Sequence, residues 1–402
     1  MREFELKNGI KSIYKKNENT PRIALSFNIA INSPEKYAGT YSLMNRLLLQ
    51  GTKKYSNIEL AQILDENAIE LNTEMKQDYL RFRFLCLNED FNLAIETLND
   101  IINNSTFEEF EKEKEKFRGE LIADLDSARI KISDAFTKTI YENHYYGNSY
   151  TNILNEIDNI TREDVINAYN EIIKTGQKSL AVVGSLDYEN IIDQLQDTLG
   201  NLENSFTTES TIVKPELNQP KRTDVIQEDA NQAQIYQGWI IPNYSSEDYA
   251  TLCVINTILG ASGLSSRLFL ELRDKKGLAY TVRTSCEPKA KSAVFNIYIA
   301  TEPKNIEVSL NGFKEEIDKI KNIPVDEKEL TDAKNNIIGK QLFITETNSQ
   351  QANMLAYYQV IGVGFGFQQE LLNKIQKVTA DDILRCANKY FNENNVVAIL
   401  HP

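Results

Sequence analysis

The chain has 402 residues, of which 41% are hydrophobic and 25% charged, and it carries a net charge of −14. Its length predicts two domains where a shorter chain would have one core, and its composition is ordinary for a globular protein. The acidic balance excludes the clustered basic surface that a phosphate backbone requires, so no nucleic-acid partner is expected.

No apolar run approaches the roughly 20 residues of a membrane span, so no membrane partner is expected either. The opening residues, Met1 to Asn8, lack the apolar core of a secretory signal. Cys86, Cys253, Cys286 and Cys386 form no CxxC pair and sit in apolar or mixed runs, which suits small buried thiols. Reduced thiols without a signal lead to the expectation of a cytoplasmic protein.

In chain order, the first legible element is a strand in which Ile23, Leu25, Phe27, Ile29 and Ile31 recur at period two. Glu35-Lys36-Tyr37-Ala38-Gly39 then opens an apolar helical pattern. Ser56 and Glu59 make a capping box ahead of Leu60, Ile63 and Leu64 at helical spacing. Leu80, Phe82, Phe84 and Cys86 alternate with Arg81 and Arg83 in a second strand. The stretch from Glu108 to Asp134 is long, charged and broken by no glycine except Gly119, and reads as helix. Thr161 caps another helix with Asp164 three residues on, and the apolar strand Leu180 to Gly184 follows.

From about Asn201 to Thr223 the chain is rich in Asn, Ser, Thr and Glu, contains Pro215 and Pro220, and loses periodicity, which is linker composition. The earlier features then return in the same order. Glu247-Asp248-Tyr249-Ala250-Thr251 opens a helical pattern. Phe295, Ile297 and Ile299 alternate. Thr379 caps a helix with Asp382, and the strand Val396 to Leu400 closes the chain. The helical opening, the Thr-capped helix and the short apolar strand, three matches at nearly one lag, indicate a duplicated domain. The expectation is an α+β protein with one domain at 1–200, a linker at 201–223 and a second domain at 224–402. Each domain is expected to be a sheet covered by helices on one face.

The most informative segment runs from Gly260-Ala261-Ser262-Gly263 through Ser265-Ser266-Arg267-Leu268 to Arg273 and Tyr280. It resembles the substrate-clamping segment in the second domain of the pitrilysin and mitochondrial-processing-peptidase family, where an Arg and a Tyr seven residues apart hold the peptide being cut. Asn231-Gln232-Ala233-Gln234 and Glu329-Leu330-Thr331-Asp332-Ala333 also resemble stretches of that domain, so the likeness covers nearly the whole chain. It implies two homologous domains with mostly antiparallel sheets. It also implies that Arg273 and Tyr280 bind substrate, with Arg offering a rigid fork of donors and Tyr one donor on a stiff ring. The competing reading pairs Arg273 with Asp274 or Glu271 and buries Tyr280 as a core aromatic.

The family's other hallmark is an inverted zinc motif, His-x-x-Glu-His, on a helix. The matching stretch here is Gly39-Thr40-Tyr41-Ser42-Leu43-Met44-Asn45-Arg46-Leu47. Ser42 and Arg46 stand at the His positions and Asn45 at the position of the base, while Glu120 matches the distal Glu ligand. One carboxylate cannot hold a catalytic zinc, which needs three protein ligands. Of the two histidines, His401 is remote from this motif, and His144 lies in His144-Tyr145-Tyr146-Gly147, where a structural role is expected. Arg46 is expected either to neutralise Glu120 or Glu113 in place of a metal or to reach solvent, with Glu120 at the surface.

The resemblance thus implies a non-catalytic, substrate-binding subunit without a cofactor of its own. It would join a homologous zinc-bearing chain in a heterodimer acting on a peptide. The alternatives are a structural core protein or a peptide-binding accessory with no role in proteolysis.

Overall fold

The computed structural model describes residues 1–206 and 209–402. Positions 207 and 208, inside the stretch expected to be a linker, lie outside the described residues. The chain divides into two compact units, neither continuous in sequence. Unit 1 comprises Met1–Gly119, Ile153–Ile212 and Leu342–Phe367, and unit 2 comprises Glu120–Asn152, Val213–Gln341 and Gln368–Pro402. No described helix is long and apolar enough to cross a membrane.

Unit 1 holds strands β1 (Arg2–Glu5), β2 (Lys11–Lys16), β3 (Arg22–Ala30), β4 (Glu70–Met75), β5 (Tyr79–Leu87) and β6 (Lys178–Gly184). Unit 2 holds β7 (Lys221–Ile226), β8 (Ala233–Ile241), β9 (Ala279–Pro288), β10 (Ala293–Thr301) and β11 (Val396–His401). The helices are α1 (Thr40–Leu47), α2 (Asn57–Glu66), α3 (Phe91–Asn104), α4 (Phe110–Leu125), α5 (Ala128–Ile140), α6 (Tyr150–Glu156) and α7 (Arg162–Thr175). They continue with α8 (Tyr188–Asp197), α9 (Tyr249–Asn256), α10 (Ile306–Asn322), α11 (Glu327–Phe343), α12 (Asn348–Val360), α13 (Phe367–Lys377) and α14 (Ala380–Tyr390).

The first sheet runs β1-β2-β6-β3-β5-β4 and the second β7-β11-β8-β10-β9. Leave out β1 and the two orders correspond strand for strand, which is the duplication seen in the sequence. Each sheet has one parallel junction, β2 with β6 and β7 with β11, and is otherwise antiparallel. Capping boxes fix the starts of α2, α7 and α14 at Ser56, Thr161 and Thr379. All four cysteines are free thiols. Burial pushes Cys86 and Cys253 up to about 12.

Ile23, Leu25, Phe27 and Ile29 of β3 are fully buried, as their alternation requires. Ala24, Ser26 and Asn28 between them are buried too. The reason is α12, which lies on β3 and β6. Its Ala352, Leu355 and Ala356 form a core with Ile13, Ala24, Ala181 and Val183, and Ser179 Oγ donates to Ala356 O at 2.7 Å. In unit 2 the corresponding place over β8, β11 and β7 is taken by α5. Phe136 of α5 stacks on Tyr236 at 5.2 Å between ring centroids. Gly238 makes room for it: a Cβ there would sit 2.6 Å from Phe136 Cζ and 2.8 Å from Phe295 O. Each half of the sequence therefore lends one helix to the sheet built mainly by the other half.

This exchange corrects the reading of Glu108 to Asp134 as one helix. The chain leaves α4 at Leu125, turns through an extended Ser127, and restarts as α5. The break frees Ile132, Phe136 and Ile140 to be buried in unit 2.

Candidate functional site

In unit 2, the chain leaving α9 widens into a π-helical turn at Thr257–Ala261 and passes Gly263 at φ +87°, the left-handed region that glycine tolerates. Gly260 permits a close approach, since a Cβ there would lie 2.4 Å from the backbone nitrogen of Thr284 on β9. A helical segment then begins near Arg267. The Arg267 guanidinium grips Glu329 of α11 with two bonds, Nε to Oε1 at 2.8 Å and Nη2 to Oε2 at 2.6 Å. Such a fork fixes orientation as well as distance. The segment winds as a π-helix over Phe269–Lys275, a geometry that recurs at functional sites.

Arg273 lies within that π turn. Gly277, at φ +61°, ends it, with Leu278 N–H donating back to Leu272 O at 2.8 Å. β9 follows at once and carries one extra residue at its head. Thr281 faces Ala300 and Ala279 faces Thr301, so Tyr280 is the bulged residue between them. A bulge re-aims a side chain, and Tyr280 is 80% exposed.

Arg273 Nη1 donates to Tyr280 O at 2.7 Å. Its guanidinium carbon lies 4.5 Å from the Phe269 ring centroid and 4.6 Å from that of Tyr280, within cation–π range of both. Glu271, a possible carboxylate partner, is instead paired with Lys275. A groove of about 420 Å³ runs beside the pair, lined among others by Gly260, Phe269, Arg273, Tyr280 and Arg283. β9 is the last strand of its sheet, hydrogen-bonded to β10 alone among the described strands. The arrangement offers a phenol and the remaining guanidinium donors next to a sheet edge that can accept another strand.

The degenerate motif lies in unit 1. Ser42, Asn45 and Arg46 are half-buried on α1. Asn45 O accepts from Thr73 Oγ1 of β4 at 3.4 Å. Arg46 Nε lies 3.4 Å from Glu113 Oε2, close enough for an ion pair but not aligned as a hydrogen bond. Its guanidinium also lies 5.1 Å from the Phe117 ring centroid. Glu113 is buried, and Lys116 Nζ approaches its other oxygen at 3.7 Å. Glu120, two turns further along α4, is exposed. A hydroxyl, an amide and a guanidinium do not fit a zinc site. Among the described residues no cluster of three His, Cys, Asp or Glu side chains could hold a metal ion.

His144 is engaged locally. Its Nδ1 accepts from Tyr146 N–H at 3.0 Å, which leaves Nε2 to donate to Val213 O at 2.9 Å. Sequence reasoning did not single out Phe269, although its place one turn before Arg273 is an i, i+4 relation that marks neighbours on a helix. The bulge at Tyr280 had no signal in the sequence.

Two family models match the chain: Insulinase (Peptidase family M16) over residues 10–156, and Peptidase M16 inactive domain over residues 159–337. An uncharacterized zinc protease of Rickettsia felis is 24% identical over 92% of this chain and 89% of its own length. A protein of Helicobacter pylori named as a non-peptidase homolog, YmxG, is 25% identical over 87% of this chain and 81% of its own. The crystal structure of a protease from Helicobacter pylori has the same fold, with a TM-score of 0.89 at 21% identity, covering 100% of this chain and 99% of that one.

Proposed function

The chain belongs to the M16, or pitrilysin, peptidase family, and we propose that it is a non-catalytic, substrate-gripping subunit whose homologous partner chain supplies the zinc. The observation that carries this reading is the pair at the head of β9. Tyr280 is thrown out of the sheet by a bulge while Arg273 is held over its ring. An exposed phenol next to an aromatic-stacked guanidinium has no evident use in packing and an obvious one in binding a peptide.

A substrate adding a strand along β9 would form main-chain hydrogen bonds, with few demands on its sequence. Arg273 and Tyr280 would then donate to one of its carbonyl oxygens, and donors of this kind gain most where charge develops during cleavage. On α1 the Arg46 cation beside the buried Glu113 supports a division of labour, because Arg46 stands at the position matched to a zinc-binding His and a fixed positive charge there would take the place of the metal's. A second reading is a scaffold with no role in proteolysis; the Helicobacter relative, named a non-peptidase homolog, is consistent with either reading.

Elemental analysis and a peptidase assay on the purified chain test the proposal. The expected result is no stoichiometric zinc and no hydrolysis, together with saturable binding of extended peptides. One equivalent of tightly held zinc would contradict the proposal. A chain that bound no peptide would leave the scaffold reading in its place.

A further inference from the structure

The same unit holds a larger cleft, of about 670 Å³, whose lining includes Arg129, Asp134, Tyr236, Arg283 and Glu287. We propose that this cleft is a subsite for a carboxylate of the bound peptide, held between Arg129 and Arg283. The inference rests on the peptide-binding reading above and deepens it.

Arg283 of β9, Tyr298 of β10 and Tyr236 of β8 are direct cross-strand partners, so they form one row across three strands. Above that row lies α5, whose Phe136 stacks on Tyr236. Arg129 stands two turns before Phe136 on the same helical face. Both guanidiniums converge on the Tyr298 ring, Arg129 at 6.0 Å and Arg283 at 5.4 Å from its centroid. That ring is fixed in turn by a hydrogen bond from its hydroxyl to Gln234.

Two cations over one ring repel each other, and among the described residues no carboxylate lies within ion-pair distance of either. The acidic side chains of the cleft are committed elsewhere. Asp134 Oδ2 accepts from Thr151 Oγ1 at 2.6 Å, and Glu287 Oε1 accepts from Ser285 Oγ at 2.8 Å and Asn296 Nδ2 at 3.1 Å. Both arginines are exposed and line the cleft, so water solvates them in the free chain, and an anion entering the cleft meets two guanidiniums that no carboxylate among the described residues holds.

Arg283 lines both this cleft and the groove of the Arg273–Tyr280 pair. It lies three residues beyond Tyr280, about 10 Å along a strand. A peptide paired to β9 and meeting Tyr280 would therefore place a group roughly three residues along between the two arginines. That group is an acidic side chain or the peptide's own C-terminal carboxylate.

Fluorescence anisotropy with labelled decapeptides of one sequence, carrying Glu, Gln or Lys at a single position and a free or amidated C-terminus, tests the inference on the full chain. A side-chain subsite gives tightest binding with Glu regardless of the terminus, and a terminal subsite gives tightest binding with the free acid. Arg129→Gln and Arg283→Gln should each weaken the preferred peptide about three- to fivefold, the range of a partly exposed ion pair. Arg129→Gln, which lies outside the groove of the Arg273–Tyr280 pair, should leave the amidated Gln peptide unchanged. Arg283→Glu should turn the preference toward Lys. Equal binding of all peptides would overturn the subsite alone. No binding of any peptide would overturn the peptide-binding reading and the subsite with it.

Discussion

Replacing Arg46 by Met probes the idea that a guanidinium stands in for the metal's charge. Glu113 is buried, and the Arg46 side chain is 22% exposed at 3.4 Å from it. Unit charges at this separation attract by about 4–5 kcal/mol at an effective dielectric constant of 20. Desolvation of both groups cancels much of that, whereas removing one partner of a buried pair costs about 3–5 kcal/mol because a charge is stranded. Lys116, 3.7 Å away but 60% exposed, would compensate in part. The expected loss for Arg46→Met is therefore about 1–3 kcal/mol. Glu113→Gln in the Arg46→Met background should recover most of it. Urea titrations of the wild type, both single variants and the double variant give the coupling as a double-mutant cycle. A single variant within 0.5 kcal/mol of wild type, or additive losses in the double, would refute the reasoning.

Two further outcomes test the fold that carries the site. Phe136→Ala should cost about 3 kcal/mol in urea unfolding, because it empties the space over Gly238 and the stack on Tyr236; a loss under 1 kcal/mol would mean that α5 does not anchor that sheet. Asp248 is buried, which raises the pKa of a carboxyl. Donation from Lys389, Tyr390 and Arg385 at 2.8, 2.6 and 2.7 Å outweighs this and holds it well below the usual carboxylate range. A depressed folded-state pKa gives stability that is present above the unfolded value, near 4, and is lost as pH falls through the folded one. Asp248→Asn should thus lower stability at pH 7 and flatten the loss of stability below pH 4; parallel acid profiles for variant and wild type would contradict this.

Local chemistry was legible in the sequence, and chain exchange was not. The alternation of Ile23 to Ile29 gave β3 and its inner face, and Ser56, Thr161 and Thr379 gave helix starts, since both patterns arise from neighbouring residues. The burial of Ser26 and Asn28 was hidden, because the helix that covers that face, α12, lies far along the chain. The break at Ser127 was hidden for the same reason: no proline or glycine marks it, and what sets it is the place α5 takes on a distant sheet. At the candidate site, the spacing of Arg273 and Tyr280 could be read. The bulge that exposes Tyr280 depends on register with β10, which no local pattern encodes.

The most direct test mixes this chain with a homologous zinc-bearing chain from the same cell and follows turnover of a peptide both proteins meet there. Cleavage is expected only by the mixture, with Arg273→Ala or Tyr280→Phe slowing it about ten- to a thousandfold, as for loss of one transition-state donor, while assembly on a sizing column is unchanged. Turnover that survives both substitutions, or cleavage by this chain alone, would contradict this.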